Sequence, residues 1–358
     1  MIAAPEFLVD CRSDRHLTCR FLSCIFLLST LIVSLSSPLA NAQGPVVLVG
    51  SGSTVPAPLY NRWAQEYGKR KASIQMKYVP IGTVEGIEQI TRGSGDFGAG
   101  ESLLSAKERA EKGLIELPVV IIGIVPIYNL PDVHQPLRLS GEVLAEIFLG
   151  NLKTWNAPQI AKLNPDVALP DLAIQVINRP AGKGSNFVFT DFLSATSAKF
   201  RERIGVTASP KWPVGTAAER SSDMAEKVKK ETGSIGYVEY QYAVKGNISQ
   251  ASVLNPAGKF VRASPQGFAA ACEAVESPRW NGFSSALINA PGADSFPITS
   301  FTWFYLRTRR PDPSRSAALD DFLEWAYSDG QKFAAEEGYT ALPAPLLAAV
   351  NKKVKELR

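Results

Sequence analysis

The sequence predicts an α/β protein of two lobes joined by short crossings. Three observations carry that expectation. Strand-like apolar runs alternate with amphipathic helix-like stretches along most of the chain. Val119 to Tyr128 is continuous apolar sequence rich in β-branched residues, the pattern of a central strand covered on both faces. No internal repeat or low-complexity linker separates the parts.

The N-terminal stretch reads as an export signal. Arg12, Arg15 and Arg20 precede an apolar segment from Phe21 to Leu35, and Ala40-Asn41-Ala42 supplies the small residues that a signal peptidase reads. Residues 1–42 are therefore expected to be cleaved, leaving 316 of the 358 residues, enough for one large domain or two ordinary ones. The acidic start from Glu6 to Asp14 is unusual for such a signal and suggests a later start codon. Cys24 lies ahead of most of the apolar segment, so a lipid anchor is not expected.

Composition excludes several functions. Beyond residue 42 the chain has one cysteine, Cys272, and one histidine, His134. No intramolecular disulfide framework, no metal site built on several histidines or cysteines and no histidine-based catalytic triad is possible. Ser51, Ser53, Thr54 and Ser185 offer hydroxyls, but without a base or metal to activate one, hydrolysis is not expected. The net charge of +4, with scattered Lys and Arg, favours anionic ligands but is too small to argue for nucleic acid.

Taken in order, the chain after residue 42 begins with the apolar run Val46 to Val49 and the turn Gly50-Ser51-Gly52-Ser53-Thr54. A helix starts near Pro56, with Tyr60, Trp63, Ala64 and Tyr67 on its apolar face. Buried strand, permissive turn, hydroxyl and helix start together point free N–H groups at an anion. Ile74 to Tyr78, and on to Pro80, alternates as a strand and leads to Ile81-Gly82-Thr83, before a short helix from Val84 to Arg92. Asp96 to Gly100 is a strand end. Gly141 to Leu149 is a helix closed by Gly150, with another short helix after Pro158. Leu172 to Ile177 is a strand leading to Arg179. The glycine-rich segment Gly182-Lys183-Gly184-Ser185 precedes a helix from Phe187 to Leu193. Ser222 to Lys230 is a surface helix and Ser234 to Val238 a strand. Ala317 to Tyr327, Gln331 to Glu336 and Ala344 to Leu357 are helices. Three anion-friendly turns in one exported chain suggest a receptor that encloses an oxyanion.

The chain resembles the periplasmic phosphate-binding proteins that serve ABC phosphate importers, over essentially its whole length after residue 42. Ile147-Phe148-Leu149-Gly150-Asn151-Leu152-Lys153-Thr154-Trp155-Asn156, Ser234-Ile235-Gly236-Tyr237-Val238-Glu239 and Pro291-Gly292-Ala293-Asp294 carry the resemblance most specifically. It implies a two-lobed periplasmic binding protein (Venus-flytrap) fold, each lobe a central mixed β-sheet flanked by helices, with the ligand in the interlobe cleft. By that likeness lobe 1 is residues 43–126 with 297–358, and lobe 2 is residues 127–296. It further implies a periplasmic monomer without cofactor or metal. Such a protein takes inorganic phosphate or a similar oxyanion and delivers it to membrane permease subunits.

The resemblance also implies ligand residues. They are Thr54 and Val55 (a phenylalanine in the family, read through its backbone N–H), Thr83 in place of a serine, and Glu101 in place of an aspartate. From the fourth loop come Arg179, Lys183, Gly184 and Ser185. That loop departs most: Ala181 stands where the family has the aspartate that orients the arginine, and Lys183 replaces a serine. Lys183 either bonds the ligand or points outward while its backbone N–H serves. A carboxylate at position 101 accepts a hydrogen bond from a protonated phosphate and not from sulfate, at a cost of a few kcal/mol for the unpaired acceptor. The added positive charge leaves sulfate, arsenate and phosphonate as alternative ligands, and a paralogue acting in signalling or adhesion as another class. Asp294 is left outside the site. Trp63, Trp155, Trp212, Trp280 and Trp303 read as packing residues, and His134 as a surface-loop residue.

Overall fold

The fold is organised by one strand. In a computed structural model that describes residues 44–275 and 287–357, the strands are β1 (Val46–Gly52), β2 (Ile74–Pro80), β3 (Phe97–Gly100), β4 (Leu114–Tyr128), β5 (Arg138–Leu139), β6 (Gln175–Asn178), β7 (Thr216–Ala217), β8 (Ser234–Glu239), β9 (Ser249–Gln250), β10 (Ser252–Leu254), β11 (Phe260–Val261) and β12 (Thr299–Arg307). The main sheet has the order β2-β1-β3-β12-β4-β8-β6-β7, with β9 also on β4, and β11-β10-β5 form a small second sheet.

The 15-residue β4 spans both lobes. Its first part, Leu114 to Gly123, pairs antiparallel with β12, and its last part, Ile124 to Tyr128, pairs antiparallel with β8. The two mixed sheets expected of two lobes are thus continuous through a shared strand. Fourteen of its 15 residues are buried, which explains the unbroken apolar sequence from Leu117 to Tyr128; the buried Glu116 before it pairs with Arg109. Pro118 sits at a register shift against Thr302/Trp303, where a missing N–H breaks no ladder bond.

Parallel pairing sets where the loops emerge. β1 runs parallel to β2 and β3, and β6 runs parallel to β8. β3 ends at Gly100 opposite Trp303, midway along β12, while β8 ends at Glu239 opposite Ile124, midway along β4. The carboxyl ends of both strand sets therefore converge on the middle of β4, the place where open α/β sheets present ligand loops.

Helices cover the sheets as their patterns require. The helix Ala57–Arg70 starts after Pro56, buries Leu59, Tyr60, Trp63 and Tyr67, and ends with Lys69 and Arg70 at its negative dipole end. Tyr60, Trp63, Phe97, Phe304 and Phe322 form an aromatic cluster beneath the first lobe. In the second lobe Met224, Ala225 and Val228 of the helix Ser221–Lys230 pack on Ile177 and Val238. Trp63, Trp155 and Trp303 are buried and Trp212 packs partly buried against the core, as packing residues should. His134 is exposed. Trp280 and the export signal lie outside the described residues.

Two boundaries differ from the sequence expectation, and further elements lie outside it. The strand expected over Leu172 to Ile177 is confined to Gln175–Asn178, with Ala173 joined only by an isolated bridge to Thr154. The helix expected to begin at Phe187 begins at Gly184, so the glycine-rich segment supplies its first turn. The nine-residue β12 and the helix Pro265–Glu273 were not anticipated, although Phe301 to Leu306 is rich in aromatic strand formers.

Candidate functional site

Five loops meet at the middle of β4. On the first lobe these are the turn after β1, the loop from β2 into the helix Thr83–Thr91, and Glu101 after β3. On the second they are Arg179 to Lys183 after β6, opening the helix Gly184–Thr196, and Glu239 closing β8. The two sides touch. A Cβ on Gly82 would stand 3.0 Å from the carbonyl oxygen of Gly182, and one on Gly184 would stand 1.5 Å from Glu101 Oε2. Gly82 has φ 113° and Gly182 φ 84°, so both loop conformations favour glycine as well.

Arg179 is the charged centre. Its residue is 1% exposed. Nη1 donates to the Ser221 hydroxyl at 2.9 Å, Nη2 to the Glu219 carbonyl at 3.1 Å, and Nε has no partner. Among the described residues no carboxylate forms an ion pair with it. A neutral hydroxyl and a carbonyl thus orient the guanidinium, the task that the family likeness gives to an aspartate where this chain has Ala181. A buried cation left unpaired is costly unless an anion completes it.

Around it stand polar groups that are buried and incompletely satisfied. Ser185 is 1% exposed and its hydroxyl has no partner. The Thr83 hydroxyl, also buried, donates to Glu101 Oε2 at 2.9 Å, while Glu101 Oε1 has none. Burial pushes the Glu101 carboxyl up to about 8, with the charge of Glu239 adding to the rise and Ser53, Thr83 and Arg179 opposing it. At neutral pH this carboxyl is therefore protonated, contrary to the ionised acceptor that the sequence argument assumed.

The remaining sequence-derived residues are placed less simply. Val55 is buried and its N–H donates to the Ser53 hydroxyl at 3.0 Å, within the turn. Thr54 is half-buried beside it. The Lys183 ammonium pairs with Glu219 Oε2 at 3.0 Å. Thr83, Glu101 and Gly184 are in mutual contact across the lobes, and Ser185 follows Gly184 in the same helical turn.

Sequence reasoning missed several neighbours. Tyr237 accepts the Arg179 backbone N–H through its hydroxyl at 3.3 Å and bonds the Asn186 side chain in turn. Ser221 holds the guanidinium. Glu239 is fully buried, with both carboxyl oxygens lacking a partner. The motif Ser234 to Glu239 stands out in the sequence, but nothing in it assigns Tyr237 or Glu239 to the site; the pairing of β6 with β8 is what brings Tyr237 to the Arg179 backbone.

Two lobes on a shared strand, with glycine loops meeting over a buried unpaired arginine, define a solute-binding receptor. Residues 39–330 match the PBP superfamily domain. The phosphate-binding protein PstS of Pasteurella multocida is 37% identical over 91% of this chain and 94% of its own length. PstS of Haemophilus influenzae is 35% identical, over 89% and 94%. A crystal structure of a phosphate-binding protein from Stenotrophomonas maltophilia shares the fold, with a TM-score of 0.63 at 18% identity over 86% of this chain and 93% of that one. The chain belongs to the PstS-like periplasmic phosphate-binding proteins, a family of extracytoplasmic solute-binding proteins that are receptors, not enzymes.

Proposed function

We propose that this chain captures inorganic phosphate between its lobes and delivers it to the permease subunits of an ABC importer. The observation that carries the reading is Arg179: a residue 1% exposed, its guanidinium oriented by neutral groups, with Nε unpartnered and no carboxylate among the described residues in ion-pair contact. Such a fork suits a tetrahedral oxyanion held in a bidentate manner. The helix Gly184–Thr196 adds the positive end of its dipole and the free Ser185 hydroxyl.

In this reading Arg179, Gly184 and Ser185 grip the anion from lobe 2, and Thr83 and Glu101 close on it from lobe 1. Thr54 and Val55 contribute after the Ser53 bond to Val55 opens, and Lys183 contributes through its backbone. The change of β4 partners at Gly123/Ile124 supports lobes of residues 43–126 with 297–358 and of residues 127–296. Residues 1–42 act as a cleaved signal that sends the protein to the periplasm. Anion bridging favours the closed form because that form makes contacts from both sides.

Titration calorimetry on anion-stripped protein with phosphate, sulfate and arsenate tests the reading. Binding of phosphate in the micromolar range or tighter, lost in Arg179→Ala, is the expected outcome. A folded protein that binds none of these anions would leave a signalling or adhesion role ahead.

A further inference from the structure

A second buried carboxyl stands at the anion loop. Glu239 is 0% exposed, and neither of its carboxyl oxygens has a hydrogen-bond partner. The alternation of side chains along β8 fixes the face it occupies. Val238 packs with Met224 and Val228 of the helix Ser221–Lys230, and a Cβ on Gly236 would meet Met224 Sδ at 2.5 Å. Tyr237 and Glu239 therefore share the opposite face, which the helix Gly184–Thr196 covers. On that face Tyr237 stacks on Phe189, with ring centroids 4.1 Å apart, and its hydroxyl bonds Asn186. The helix starts where β6 ends, and β6 is parallel to β8, so helix and β8 run in opposite directions. Glu239 lies two residues, about 7 Å, beyond Tyr237 along the strand. Gly184 lies five residues, about 7.5 Å, back from Phe189 along the helix. The two steps match, and they bring Glu239 level with Gly184 and Ser185. Glu101, whose Oε2 abuts Gly184, faces them from the other lobe.

We propose that Glu239 is a further ligand residue of the anion site, a carboxylate from lobe 2 that accepts the proton of a protonated oxyanion and excludes a fully ionised one. The proposal deepens the phosphate reading and rests on it. Three observations support it. No donor of the described residues reaches the Glu239 oxygens: the Arg179 Nη atoms are held by Ser221 and the Glu219 carbonyl, and Gln241 Nε2 is itself without a partner. A buried acceptor left unpaired is costly, and a ligand hydroxyl supplies the missing donor just as ligand oxygens complete Arg179 Nε and Ser185. The charge of Glu239 also acts on the site, adding to the rise that burial imposes on the Glu101 carboxyl. Because Glu101 titrates at about 8, it is protonated at neutral pH and leaves the single proton of HPO₄²⁻ for another acceptor. Sulfate brings no proton, so it would leave both Glu239 oxygens unpaired and meet them with like charge.

The test is titration calorimetry at pH 7 on the anion-stripped protein with phosphate, sulfate and monofluorophosphate, the last a dianion like HPO₄²⁻ but without its proton. Wild type, Glu239→Gln and Glu101→Gln are compared. The wild type should bind phosphate at least about tenfold more tightly than either proton-free anion. Glu239→Gln, whose amide adds a donor and removes the charge, should bring both ratios below about threefold. Glu101→Gln, whatever its effect on affinity, should still prefer phosphate, because Glu239 remains. Each ratio compares ligands on one protein, so a merely structural loss moves all three affinities together and leaves the ratios in place. A wild type that binds the three anions equally, or a Glu239→Gln variant with the wild-type ratios, overturns the role of Glu239 and spares the phosphate reading. A folded wild type that binds none of them overturns both. Should Glu239→Gln fail to fold, Glu101→Gln decides: a preference kept in that variant requires a second acceptor, and a preference lost in it overturns the proposal.

Discussion

Gly184 and Glu101 touch across the two lobes so closely that one methyl group would part them. A Cβ on Gly184 would fall 1.5 Å from Glu101 Oε2 and 2.6 Å from Thr83 Oγ1. The helix that Gly184 opens remains intact with alanine, a better helix former. The substitution therefore acts on closure and spares each lobe. Overpacking of this kind costs about 1–3 kcal/mol, so Gly184→Ala should weaken phosphate binding roughly tenfold to a hundredfold in calorimetry. Small-angle scattering should show a larger radius of gyration in the phosphate-saturated variant than in saturated wild type. An unchanged affinity would mean that the closed contact is not part of the binding cycle.

Arg179 makes a prediction about shape and not only charge. Arg179→Lys keeps the cation but loses the fork that reaches Ser221, the Glu219 carbonyl and an anion at once. Phosphate affinity should fall about tenfold to a hundredfold in the lysine variant and further in Arg179→Ala. Ser221→Ala should cost only a few-fold, because Nη2 and the Tyr237 bond to the Arg179 backbone still place the side chain. If Ser221→Ala costs as much as Arg179→Lys, the hydroxyl itself is a ligand.

The sequence made the class of fold legible because β4 is apolar without interruption from Leu117 to Tyr128 and the turn before Pro56 is built for a strand-to-helix junction. It did not reveal that β4 serves both lobes, since the change of partner between Gly123 and Ile124 leaves no mark on a strand buried on both sides of that point. β12 was overlooked because Thr299, Ser300 and Thr302 interrupt its aromatic run, although its buried faces match β3 and β4. Within the site, glycine turns and hydroxyls point to loops that local sequence can suggest. Tyr237 reaches Arg179 through the pairing of β6 with β8 and Ser221 from the start of the helix Ser221–Lys230, and the protonation of Glu101 depends on burial that only the assembled lobes create.

Lys183 illustrates how the structure alters a charge argument. Read from sequence, Ala181 and Lys183 make the loop two charges more positive than the family pattern. In the fold the Lys183 ammonium meets Glu219, whose side chain is 70% exposed. The Lys183 side chain is itself only 16% exposed, but with its partner carboxylate so open to solvent the pair is screened and contributes about 0–1 kcal/mol. Lys183→Ser should therefore change phosphate affinity less than about threefold, with the backbone N–H still in place at the start of the helix. A larger loss, restored by Lys183→Arg, would show that the ammonium swings from Glu219 to the anion.

Glu101 links stability to pH with a defined sign. Its folded carboxyl titrates at about 8, against 4.5 for the ordinary group. Below pH 4.5 both states are protonated and the contribution is fully present. Between 4.5 and 8 the unfolded chain gives up a proton that the folded one keeps, so stability falls as pH rises, by at most about 1.4 kcal/mol per unit. Thermal melts of the anion-free protein should show Tm decreasing from pH 5 to 8, and Glu101→Gln should flatten that slope. Asp191 adds a decrease of the same sign up to pH about 6, which persists in the glutamine variant and separates the two groups.

The same proton decides how the cleft treats sulfate. While Glu101 is protonated it offers a donor as well as an acceptor, so a fully ionised anion meets no unpaired acceptor and no like charge. Discrimination by this residue is then weak. As pH rises through about 8 the carboxyl ionises, HPO₄²⁻ still has a proton to share with it, and sulfate has none. An unpaired acceptor facing an anion costs about 1–3 kcal/mol, so the ratio of phosphate to sulfate affinity should grow at least about fivefold from pH 6.5 to 9. Glu101→Gln, whose amide offers a donor at every pH, should hold the ratio level across that range. Competition calorimetry with sulfate at fixed phosphate measures it directly, and a wild-type ratio that stays flat would assign selectivity to groups other than Glu101.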